Sequence, residues 1–599
     1  MGADRIGVAL RLTVAGLGSS LALLGMTPAV AGTVRPASTP VITSFKVVPS
    51  PVRAQGGAVT ATAKVRSAKT CTFSSKPKVT GFPVTRNCSS GSAKVTVKFP
   101  ANGSISARRF TIKLSVSGGG HTVTGSRTIT QPPLTLAGVK AVVGQGQSYC
   151  ALLTSGRVDC WGFNDLGQLG DGKSKNSSRP VPVTGVGGKG VLTGVASVVA
   201  DSLGYGSQYC AVLRSGGVDC WGFNQDGQLG NGSTKNSNKP VAVKGVGGSG
   251  LLTGVRQVQP EIYGFCAALA SGGAVCWGLN ENGQLGDNTV TGPGDCGAVG
   301  TPCSTTPVTV ASTSGSGALG HVARLVGEGE NICAQLTTGG VDCWGYGANG
   351  QLGGGVLAGS PFPEVVKGTG GTGTLAGVTS LTGLDNGTNI CARLTSGKTD
   401  CWGEDSWGEL GNGTTGIFHD SPFPVAVKGL GGHGTLGSVA RVTGVPGLTN
   451  CAVLTSGGVD CWGSNGGAVL GNPKVTGVSS NVPVKVVGPG GKGTLGGVTG
   501  LVTGDNGQGP NICALLTSGG VACWGFTSAG FSQTPKAVPG FGSGKKQVRV
   551  RGLASDQDGS TCAVLASGGA RCWGEDESGQ LGNGTINGSL VPVRVLAPA

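Results

Sequence analysis

The chain has 599 residues, 118 of them Gly, and a net charge of +16 although only 12% of its residues are charged. The cations look scattered, as at Lys173 and Lys175, and form no basic helix or dense run, so nucleic acid is not indicated as a partner. No segment beyond the N-terminus is apolar for long enough to predict a membrane span.

The N-terminus has the pattern of a secretory signal peptide over residues 1–31. Arg5 and Arg11 flank an apolar Gly/Ala/Leu-rich run, and the small residues Ala29-Val30-Ala31 form a cleavage site. We therefore expect an exported protein, secreted or held at the exterior of the cell envelope.

Residues 40–130 read as a small β-sandwich. About seven short runs alternate apolar and polar residues, among them "VITSFKVVPS", "AKVTVKFP" and "RRFTIKLSVSGG". The stretch resembles bacterial immunoglobulin-like modules in this architecture, without the Cys…Trp…Cys spacing of antibody domains. Cys71 and Cys88 could join two of its strands. The segment 132–138, "PPLTLAG", is expected to be a linker.

The remainder of the chain, 137–599, repeats one unit eight times. In each unit two cysteines lie ten positions apart, and a Trp-Gly begins directly after the second cysteine. The first cysteines are Cys150, Cys210, Cys266, Cys333, Cys391, Cys451, Cys513 and Cys562. The second cysteines are Cys160, Cys220, Cys276, Cys343, Cys401, Cys461, Cys523 and Cys572. A period of this length indicates a repeat architecture.

The spacing within each unit predicts a disulfide-stapled hairpin. Gly occurs six positions after every first cysteine, where a three-residue loop needs a left-handed backbone. Counted outward from the loop ending at Gly216, Val212 faces Val218 and Cys210 faces Cys220 as a non-hydrogen-bonded pair, with Cα atoms about 4.5 Å apart. A disulfide can span that distance. One such bridge is expected in each unit.

A metal site is the alternative interpretation of paired cysteines. Zinc sites favour two to four residues between cysteines and further Cys or His nearby, whereas nine residues intervene here and the chain has four histidines. We therefore expect disulfides in an oxidising compartment, with no metal and no cofactor. The remaining cysteines, Cys296 and Cys303, would form a tenth bridge beside Cys71–Cys88.

Each unit has the pattern of four short strands, as in "VASVV", "CAVL", "GVDCWG" and "KPVAVKG". Four strands at this period are typical of a β-propeller blade, so an all-β propeller of about eight blades is expected, with seven as the alternative. The seventh unit, which contains "FTSAGFSQT", is the weakest candidate blade.

The unit resembles the repeat of the regulator of chromosome condensation family. The matching features are Ala151 and Leu153, Gly156, Trp161-Gly162 and the Asn-x-x-Gly-Gln-Leu-Gly run at 164–170, which recurs at 224–230 and 280–286. The resemblance covers about 137–599 and implies a propeller, typically of seven blades. Its founding member's nuclear nucleotide-exchange activity is not carried over to an exported chain. Exported bacterial propellers that inhibit β-lactamases are a nearer likeness.

Catalytic residues are not indicated. His121, His321, His419 and His433 do not recur in register. Asp precedes the second cysteine in five units, and alternation places each Asp opposite a small Ala, which favours a hydrogen-bonded structural position over a catalytic ring. The run "SDQDGST", with Asp556, Asp558 and Ser560, begins like a calcium loop but lacks its later ligands.

Three functions follow from these patterns. The first is an exported, non-catalytic binding scaffold whose variable loops engage an extracellular protein or an anionic envelope polymer. The second is an inhibitor of a secreted enzyme, and the third is a lyase or glycosidase with its site in the central channel. The longest insert, 286–307, carries Cys296 and Cys303 and is the expected binding rim, because a rigid loop loses less entropy on binding. We expect a monomer.

Overall fold

The computed structural model describes residues 38–104, 106–201, 208–296, 300–327, 329–383, 388–416, 418–505, 507–545 and 547–598. The signal peptide expected at 1–31 lies outside them. The chain divides into two compact units, one made of 1–100 and 109–130 and the other of 101–108 and 131–599. Among the described residues, no helix is long and apolar enough to cross a membrane.

The first unit consists of two antiparallel sheets with one shared core. Its strands are β1 (Val41–Val48), β2 (Gly57–Arg66), β3 (Thr70–Lys76), β4 (Val84–Asn87), β5 (Ser92–Phe99), β6 (Arg108–Gly118) and β7 (His121–Gln131). The sheet orders are β1-β2-β5 and β4-β3-β6-β7. Phe45, Phe73, Phe99 and Phe110 fill the core, and Cys71 pairs with Cys88.

Charge in residues 38–130 is of one sign only. This stretch contains 14 Lys and Arg and neither Asp nor Glu, which leaves 30 Lys and Arg against 28 Asp and Glu in the rest of the chain. The 14 are Lys46, Arg53, Lys64, Arg66, Lys69, Lys76, Lys78, Arg86, Lys94, Lys98, Arg108, Arg109, Lys113 and Arg127. The cations are therefore concentrated here, which corrects the expectation that they are scattered.

The second unit holds eight antiparallel sheets that follow one another along the chain. The first four are β8 (Val139–Gln145), β9 (Ser148–Leu153), β10 (Val158–Gly162), β11 (Ser177–Pro182); β12 (Val195–Ala200), β13 (Gln208–Leu213), β14 (Val218–Gly222), β15 (Ser237–Ala242); β16 (Val255–Glu261), β17 (Gly264–Leu269), β18 (Ala274–Leu279), β19 (Gly294–Cys296), β20 (Thr301–Thr309); and β21 (Val322–Gly327), β22 (Asn331–Leu336), β23 (Val341–Gly345), β24 (Ser360–Val365).

The last four sheets are β25 (Val378–Gly383), β26 (Asn389–Leu394), β27 (Thr399–Gly403), β28 (Ser421–Ala426); β29 (Val439–Val445), β30 (Thr449–Leu454), β31 (Val459–Ser464), β32 (Ser479–Lys485); β33 (Val498–Asp505), β34 (Pro510–Leu516), β35 (Val521–Thr527), β36 (Gly530–Ala537); and β37 (Val550–Ser555), β38 (Ser560–Leu565), β39 (Ala570–Gly574), β40 (Ser589–Arg594). Short 3-10 turns occur at Val186–Gly188, Val246–Gly248, Thr369–Gly371, Leu430–Gly432, Gly466–Ala468 and Pro489–Gly491.

The sheets close into a ring, which makes the unit a β-propeller. Each first strand packs against the first strand of the next sheet, and β37 of the last sheet packs against β8 of the first. The segment expected to be a linker takes part in this closure. Thr135 pairs with Leu596, and the amide of Leu136 donates to the carbonyl of Val595 over 3.0 Å. Leu136 is buried and is therefore part of the core.

The hairpin of each sheet has the expected register. Cys210 lies opposite Cys220, and Val212 lies opposite Val218. The Cα atoms of the two cysteines are 4.1 Å apart, a non-hydrogen-bonded pair, and Gly216 has φ +85°. All 20 cysteines lie in ten close pairs, eight of them within the repeat hairpins and the others at Cys71–Cys88 and Cys296–Cys303.

The recurring Trp and the Gly-Gln-Leu-Gly run meet between neighbouring sheets. The indole N–H of Trp221 donates over 2.9 Å to the main-chain carbonyl of Gln168 in the preceding sheet. A Cβ on Gly170 would come within 3.0 Å of the Trp221 ring, so the position requires Gly. The same bond joins Trp277 to Gln228. The repeated motif thus builds the junction between sheets.

The Asn that begins this run organises the turn. The Oδ1 atom of Asn164 accepts from the amide of Leu169, and its Nδ2 donates to the carbonyls of Lys173 and Lys175. Leu169 is buried as a result, between the hairpin of its own sheet and Trp221 of the next. The motif therefore forms a turn and a packing contact, as its sequence indicated. It recurs because the junctions between neighbouring sheets, apart from that of the seventh with the eighth, are built with it or with a variant of it.

The seventh repeat forms a sheet of its own, β33–β36, but its junction with the eighth is different. It lacks Gly-Gln-Leu-Gly, and Phe541 packs on Trp573 with ring centroids 5.7 Å apart. In the part of the chain that the structure describes, the Trp573 indole makes no bond of the kind seen at Trp221.

Candidate functional site

One face of the propeller collects most of its carboxylates. Because strands alternate in direction, the connections between first and second strands and between third and fourth strands emerge on the same face. Of the 25 Asp and Glu within the described residues, 19 lie in these connections or at the strand end leading into them, and we name this surface the acidic face. Among the described residues of these connections there are four Lys and no Arg, namely Lys173, Lys175, Lys235 and Lys474.

The 19 residues of the acidic face are Asp165, Asp171, Asp201, Asp226, Glu261, Glu281, Asp287, Asp295, Glu330, Glu404, Asp405, Glu409, Asp420, Asp505, Asp556, Asp558, Glu575, Asp576 and Glu577. The other six described carboxylates are Glu364 and the five Asp that precede a second cysteine. Six of the 19, namely Asp201, Glu261, Asp405, Glu409, Asp556 and Asp576, are buried, so the charge of this surface comes from the other carboxylates. The positions of the strand ends decide on which face the carboxylates lie.

A pocket with aromatic and acidic walls opens on this face between the second and third sheets. Its volume is about 300 Å³, and it is lined by Phe223, Gln225, Asp226, Tyr263, Leu279, Glu281 and Thr301. We name it the aromatic–carboxylate pocket. Two carboxylates beside two aromatic rings form a site for a cation, which both ion pairing and cation–π attraction favour.

Hydrogen bonds hold the acidic wall in place. The amide of Asp226 donates to Oε1 of Gln228 over 2.8 Å, and the side-chain amide of Gln228 donates back to Asp226 Oδ2 over 3.2 Å. Behind Glu281, the side-chain amide of Asn282 donates to Glu330 Oε2 over 2.9 Å. The carboxylate of Asp226 is thus oriented before any partner arrives, which lowers the entropic cost of binding.

The backbone at Tyr263 is left-handed, with φ +58°, which is unusual for an aromatic residue. The same turn occurs at Gln147 and Leu448, each with a carbonyl that accepts from the residue after the Trp-Gly, so the conformation belongs to the repeat. Tyr263 places its ring in the pocket because it occupies this repeat position in the third sheet.

Burial and neighbouring charges raise the pKa values of three carboxyl groups of the acidic face, Asp226, Glu330 and Glu261. Burial raises the pKa of Asp226, and the charge of Glu281 adds to the effect. Burial and Glu281 likewise raise the pKa of Glu330. Burial, with the charges of Asp201 and Glu330, raises the pKa of Glu261 well above its ordinary value. A cation in the pocket would relieve this repulsion.

The insert 286–307 forms one edge of the pocket through Thr301. Its strands β19 and β20 pair with each other, and β20 continues the third sheet with Cys303 opposite Leu279. The carbonyl of Thr305 in β20 accepts from Gly232 of the second sheet over 2.9 Å. The insert is therefore anchored on both sheets that form the pocket.

The recurrent Asp residues do not form a ring of exposed catalytic groups. Asp159, Asp219, Asp342, Asp400 and Asp460 are buried, and each lies opposite an Ala as alternation indicated. Burial raises the pKa of Asp219, Asp342 and Asp460 to about 6. Their hydrogen bonding is uneven, since Asp400 accepts from Thr369 Oγ1 over 2.6 Å while Oδ1 of Asp159 has no partner in the described structure.

The histidines lie on separate elements. His121 begins β7 of the first unit, His321 precedes β21, His419 lies in the connection before β28, and His433 follows a 3-10 turn. All four are exposed. The fold therefore does not assemble them into one centre.

The carboxylate of Asp556 in the calcium-like run accepts hydrogen bonds from its own turn. Asp556 is buried and accepts from the amides of Asp558 and Ser560 over 3.0 and 2.9 Å, as well as from the Ser560 hydroxyl. These bonds satisfy the carboxylate and stabilise the turn, which explains why Asp556 can be buried. Within the described residues, no group of three or more His, Cys, Asp or Glu has the arrangement of a metal site.

Sequence reasoning missed the aromatic residues of this face. Trp407 is 42% exposed and Phe418 is 91% exposed, both in the connection between β27 and β28. Trp407 is the one tryptophan that does not follow a second cysteine, and this departure from the repeat was the available signal. Exposed Trp and Phe are frequent anchors of protein interfaces.

Comparison with known proteins identifies the repeat. Residues 155–206 and 215–259 match the model of the Regulator of chromosome condensation (RCC1) repeat. The chain is 27% identical over 248 residues to the Ultraviolet-B receptor UVR8 of Arabidopsis thaliana, covering 41% of this chain and 49% of the receptor. It is 28% identical over 299 residues to the E3 ubiquitin-protein ligase HERC2 of Homo sapiens, covering 49% of this chain and 5% of the ligase.

The chain thus spans about half of the plant receptor and a small part of the human ligase. Among solved structures, human WBSCR16 is 19% identical with a TM-score of 0.45 and covers 64% of this chain and 95% of that one. Prp20p from Saccharomyces cerevisiae, studied with its binding to Gsp1p and histones, is 15% identical with a TM-score of 0.44, covering 70% and 90%. The chain is therefore similar to the RCC1 repeat over 155–206 and 215–259.

Proposed function

We propose that this protein is an exported, non-catalytic binding scaffold whose acidic face engages a basic segment of an extracellular protein. The observation that carries the proposal is the aromatic–carboxylate pocket, in which Phe223 and Tyr263 stand beside Asp226 and Glu281. Ten close cysteine pairs are consistent with an extracellular protein. We also propose that the first unit is an immunoglobulin-like module.

A Lys or Arg side chain has the chemistry that the pocket recognises. Its charge would pair with Asp226 and Glu281, and its alkyl stem or guanidinium plane would lie against the two rings. The excess of carboxylates over cations on the surrounding face would steer a basic partner towards the pocket. Trp407 and Phe418 supply apolar anchor area elsewhere on the same face.

Selection of peptides from a random display library on the full mature chain tests the proposal. We expect enriched peptides to contain Lys or Arg, and their binding to fall about tenfold or more in the double variant Asp226→Asn/Glu281→Gln, as for loss of a partly buried charge pair. The matched control is Asp165→Asn/Glu577→Gln, which removes the same charge from exposed positions of the acidic face. Equal loss in both variants, or selection of acidic peptides, would refute a specific pocket.

A further inference from the structure

We propose that the first unit is a binding module for a linear anionic glycan, and that the outer face of its three-stranded sheet is the contact surface. This inference does not depend on the aromatic–carboxylate pocket, which lies in the other unit. It starts from the charge of residues 38–130, which include 14 cations and no carboxylate. A surface without any internal counter-charge repels itself and gains from an external polyanion.

The cations are ordered on the sheet formed by β1, β2 and β5. Alternation along the strands sends Phe45, Val95 and other apolar side chains inward, and it sends Lys46, Lys64, Arg66, Lys94 and Lys98 outward. All five cations are exposed. We name this surface the basic sheet face.

Strand register places the lysines close to one another. Lys46 lies opposite Thr62, which lies opposite Lys94, so the two lysines share one row across three strands, about 10 Å apart. Lys64 lies opposite Ser44 and Ser92, one row along, and is a diagonal neighbour of both lysines at about 7–8 Å. These spacings match an extended polysaccharide that has an anionic group on every sugar or on every second sugar.

Hydroxyl groups fill the positions between the cations. Thr60 lies opposite Thr96, with their Oγ1 atoms 2.9 Å apart, and Thr62 separates Lys46 from Lys94. Hydroxyls donate to and accept from sugar hydroxyls and acidic oxygens alike. The face therefore combines point charges with neutral hydrogen-bonding groups, as glycan recognition requires.

A groove extends the face at its edge. It has a volume of about 530 Å³ and lies between β4 and β5, lined by Arg86, Thr80, Thr96 and Lys98 together with Val84 and Phe99. Lys98 and Thr96 belong to both the groove and the basic sheet face. A polymer lying along the face would thus reach a concave end with a further cation, Arg86.

Nucleic acid fits this surface less well. Single strands are held by stacking on exposed aromatic rings, but residues 38–130 contain no Trp or Tyr and the five Phe, namely Phe45, Phe73, Phe82, Phe99 and Phe110, are buried. A membrane would reward apolar anchors, and the described residues of this unit expose only Val41 and Val48 among large hydrophobic side chains. An anionic glycan needs neither feature.

The test compares two variants of equal charge in the full mature chain. The face variant is Lys46→Gln/Lys64→Gln/Lys94→Gln/Lys98→Gln. The control is Lys69→Gln/Lys78→Gln/Arg109→Gln/Lys113→Gln, which removes four exposed cations from loops and from β6 of the other sheet. Thermal unfolding of both variants checks that each remains folded.

The probes are immobilised dextran sulfate and polygalacturonate, with oligothymidine and phosphatidylglycerol vesicles as competing classes, all at physiological salt. We expect the face variant to bind the glycans about tenfold or more weakly and the control to lose less than about threefold, because screening leaves only nearby charges effective. Equal losses in the two variants would overturn the proposal. So would undetectable glycan binding by the wild type, or tighter binding of oligothymidine or vesicles.

Discussion

Trp161 donates its indole N–H over 2.8 Å to the main-chain carbonyl of Gln580, a residue 419 positions later in the chain. This is the same bond that joins Trp221 to Gln168, but here it links the first sheet to the last. The ring thus closes with the contact that joins its neighbours along the chain. The first repeat supplies the Trp and the last repeat supplies the Gly-Gln-Leu-Gly run, so this bond needs no additional segment.

Loss of this bond should weaken the ring. We expect Trp161→Phe to lower the free energy of unfolding by about 1–2 kcal/mol, since the carbonyl of Gln580 loses its partner in a buried site. The measurement is urea-induced unfolding of the full chain. Trp573→Phe is the control, because Trp573 packs on Phe541 without such a bond in the described structure. A larger cost for Trp573→Phe would contradict this account.

Cysteine connectivity can be mapped directly. We expect non-reducing peptide mapping to find one bridge inside every repeat hairpin, from Cys150–Cys160 to Cys562–Cys572, together with Cys71–Cys88 and Cys296–Cys303. The reason is the register of the hairpin, which places each pair directly opposite. Bridges between sheets would show that this register is wrong.

The two kinds of bridge should differ in effect. Removing the buried hairpin pair with Cys210→Ala/Cys220→Ala should cost about 2–3 kcal/mol of stability. The insert pair is buried as well but lies outside the repeated hairpins, so Cys296→Ala/Cys303→Ala should cost less stability than the hairpin change. It should also weaken peptide binding, because a looser insert at Thr301 must be ordered on binding. Calorimetry and the peptide assay measure the two effects. The reverse pattern would argue against the insert as a binding rim.

Stability should depend on pH through Glu409. This residue replaces Gln in the fifth repeat, and burial raises its pKa to about 8. A carboxyl whose folded-state pKa exceeds its ordinary value stabilises the fold when protonated, and that contribution is lost as the pH rises from about 4.5 through 8. Glu409→Gln should therefore stabilise the chain by on the order of 1–3 kcal/mol at pH 8.5 and by less at pH 5.

Melting temperature measured across this pH range checks the prediction. Glu577→Gln, the same chemical change at an exposed position, is the control and should alter the profile little. An unchanged profile in Glu409→Gln would mean that the carboxylate is accommodated in its charged form. The amide of Trp407 donates to Glu409 Oε2 over 2.7 Å and would be the donor that accommodates it.

Histidine chemistry should be dispensable. We expect the purified protein to show no hydrolase or lyase turnover, and His321→Ala, His419→Ala and His433→Ala to leave peptide binding intact, because the three are exposed on separate connections. Activity screens on glycoside, ester and uronate substrates provide the measurement. Turnover abolished by one of these substitutions would establish the enzyme interpretation in place of the scaffold.

Local chemistry alone was enough to predict the hairpins. The Cys spacing and the Gly six positions later determine loop length, register and the partner of each cysteine, all of which depend on residues within about ten positions of one another. The repeat likewise predicted four strands per unit and an all-β propeller. The buried Asp residues opposite Ala followed from simple alternation.

Other features depended on contacts between distant segments. Two contacts join the ends of the propeller, namely the bond from Trp161 to Gln580 and the pairing of Thr135 with Leu596. The sequence of 132–138 predicts a linker because its partner lies more than 400 residues away in the chain. The basic sheet face depended partly on the sequence and partly on the tertiary structure. The absence of Asp and Glu from 38–130 was visible in the sequence, but only the register of β1, β2 and β5 brings Lys46, Lys64 and Lys94 together.

The candidate pocket was decided by tertiary structure alone. Phe223, Tyr263 and Glu281 come from three different connections, and each by itself is an ordinary loop residue. They meet because antiparallel strands deliver alternate connections to the same face and because neighbouring sheets are held in place by the Trp junctions. The sequence by itself determined the repeating unit, because the geometry of the hairpin depends on residues close together in the chain. The site is formed by residues that differ between repeats, and only the closed ring brings these residues next to one another.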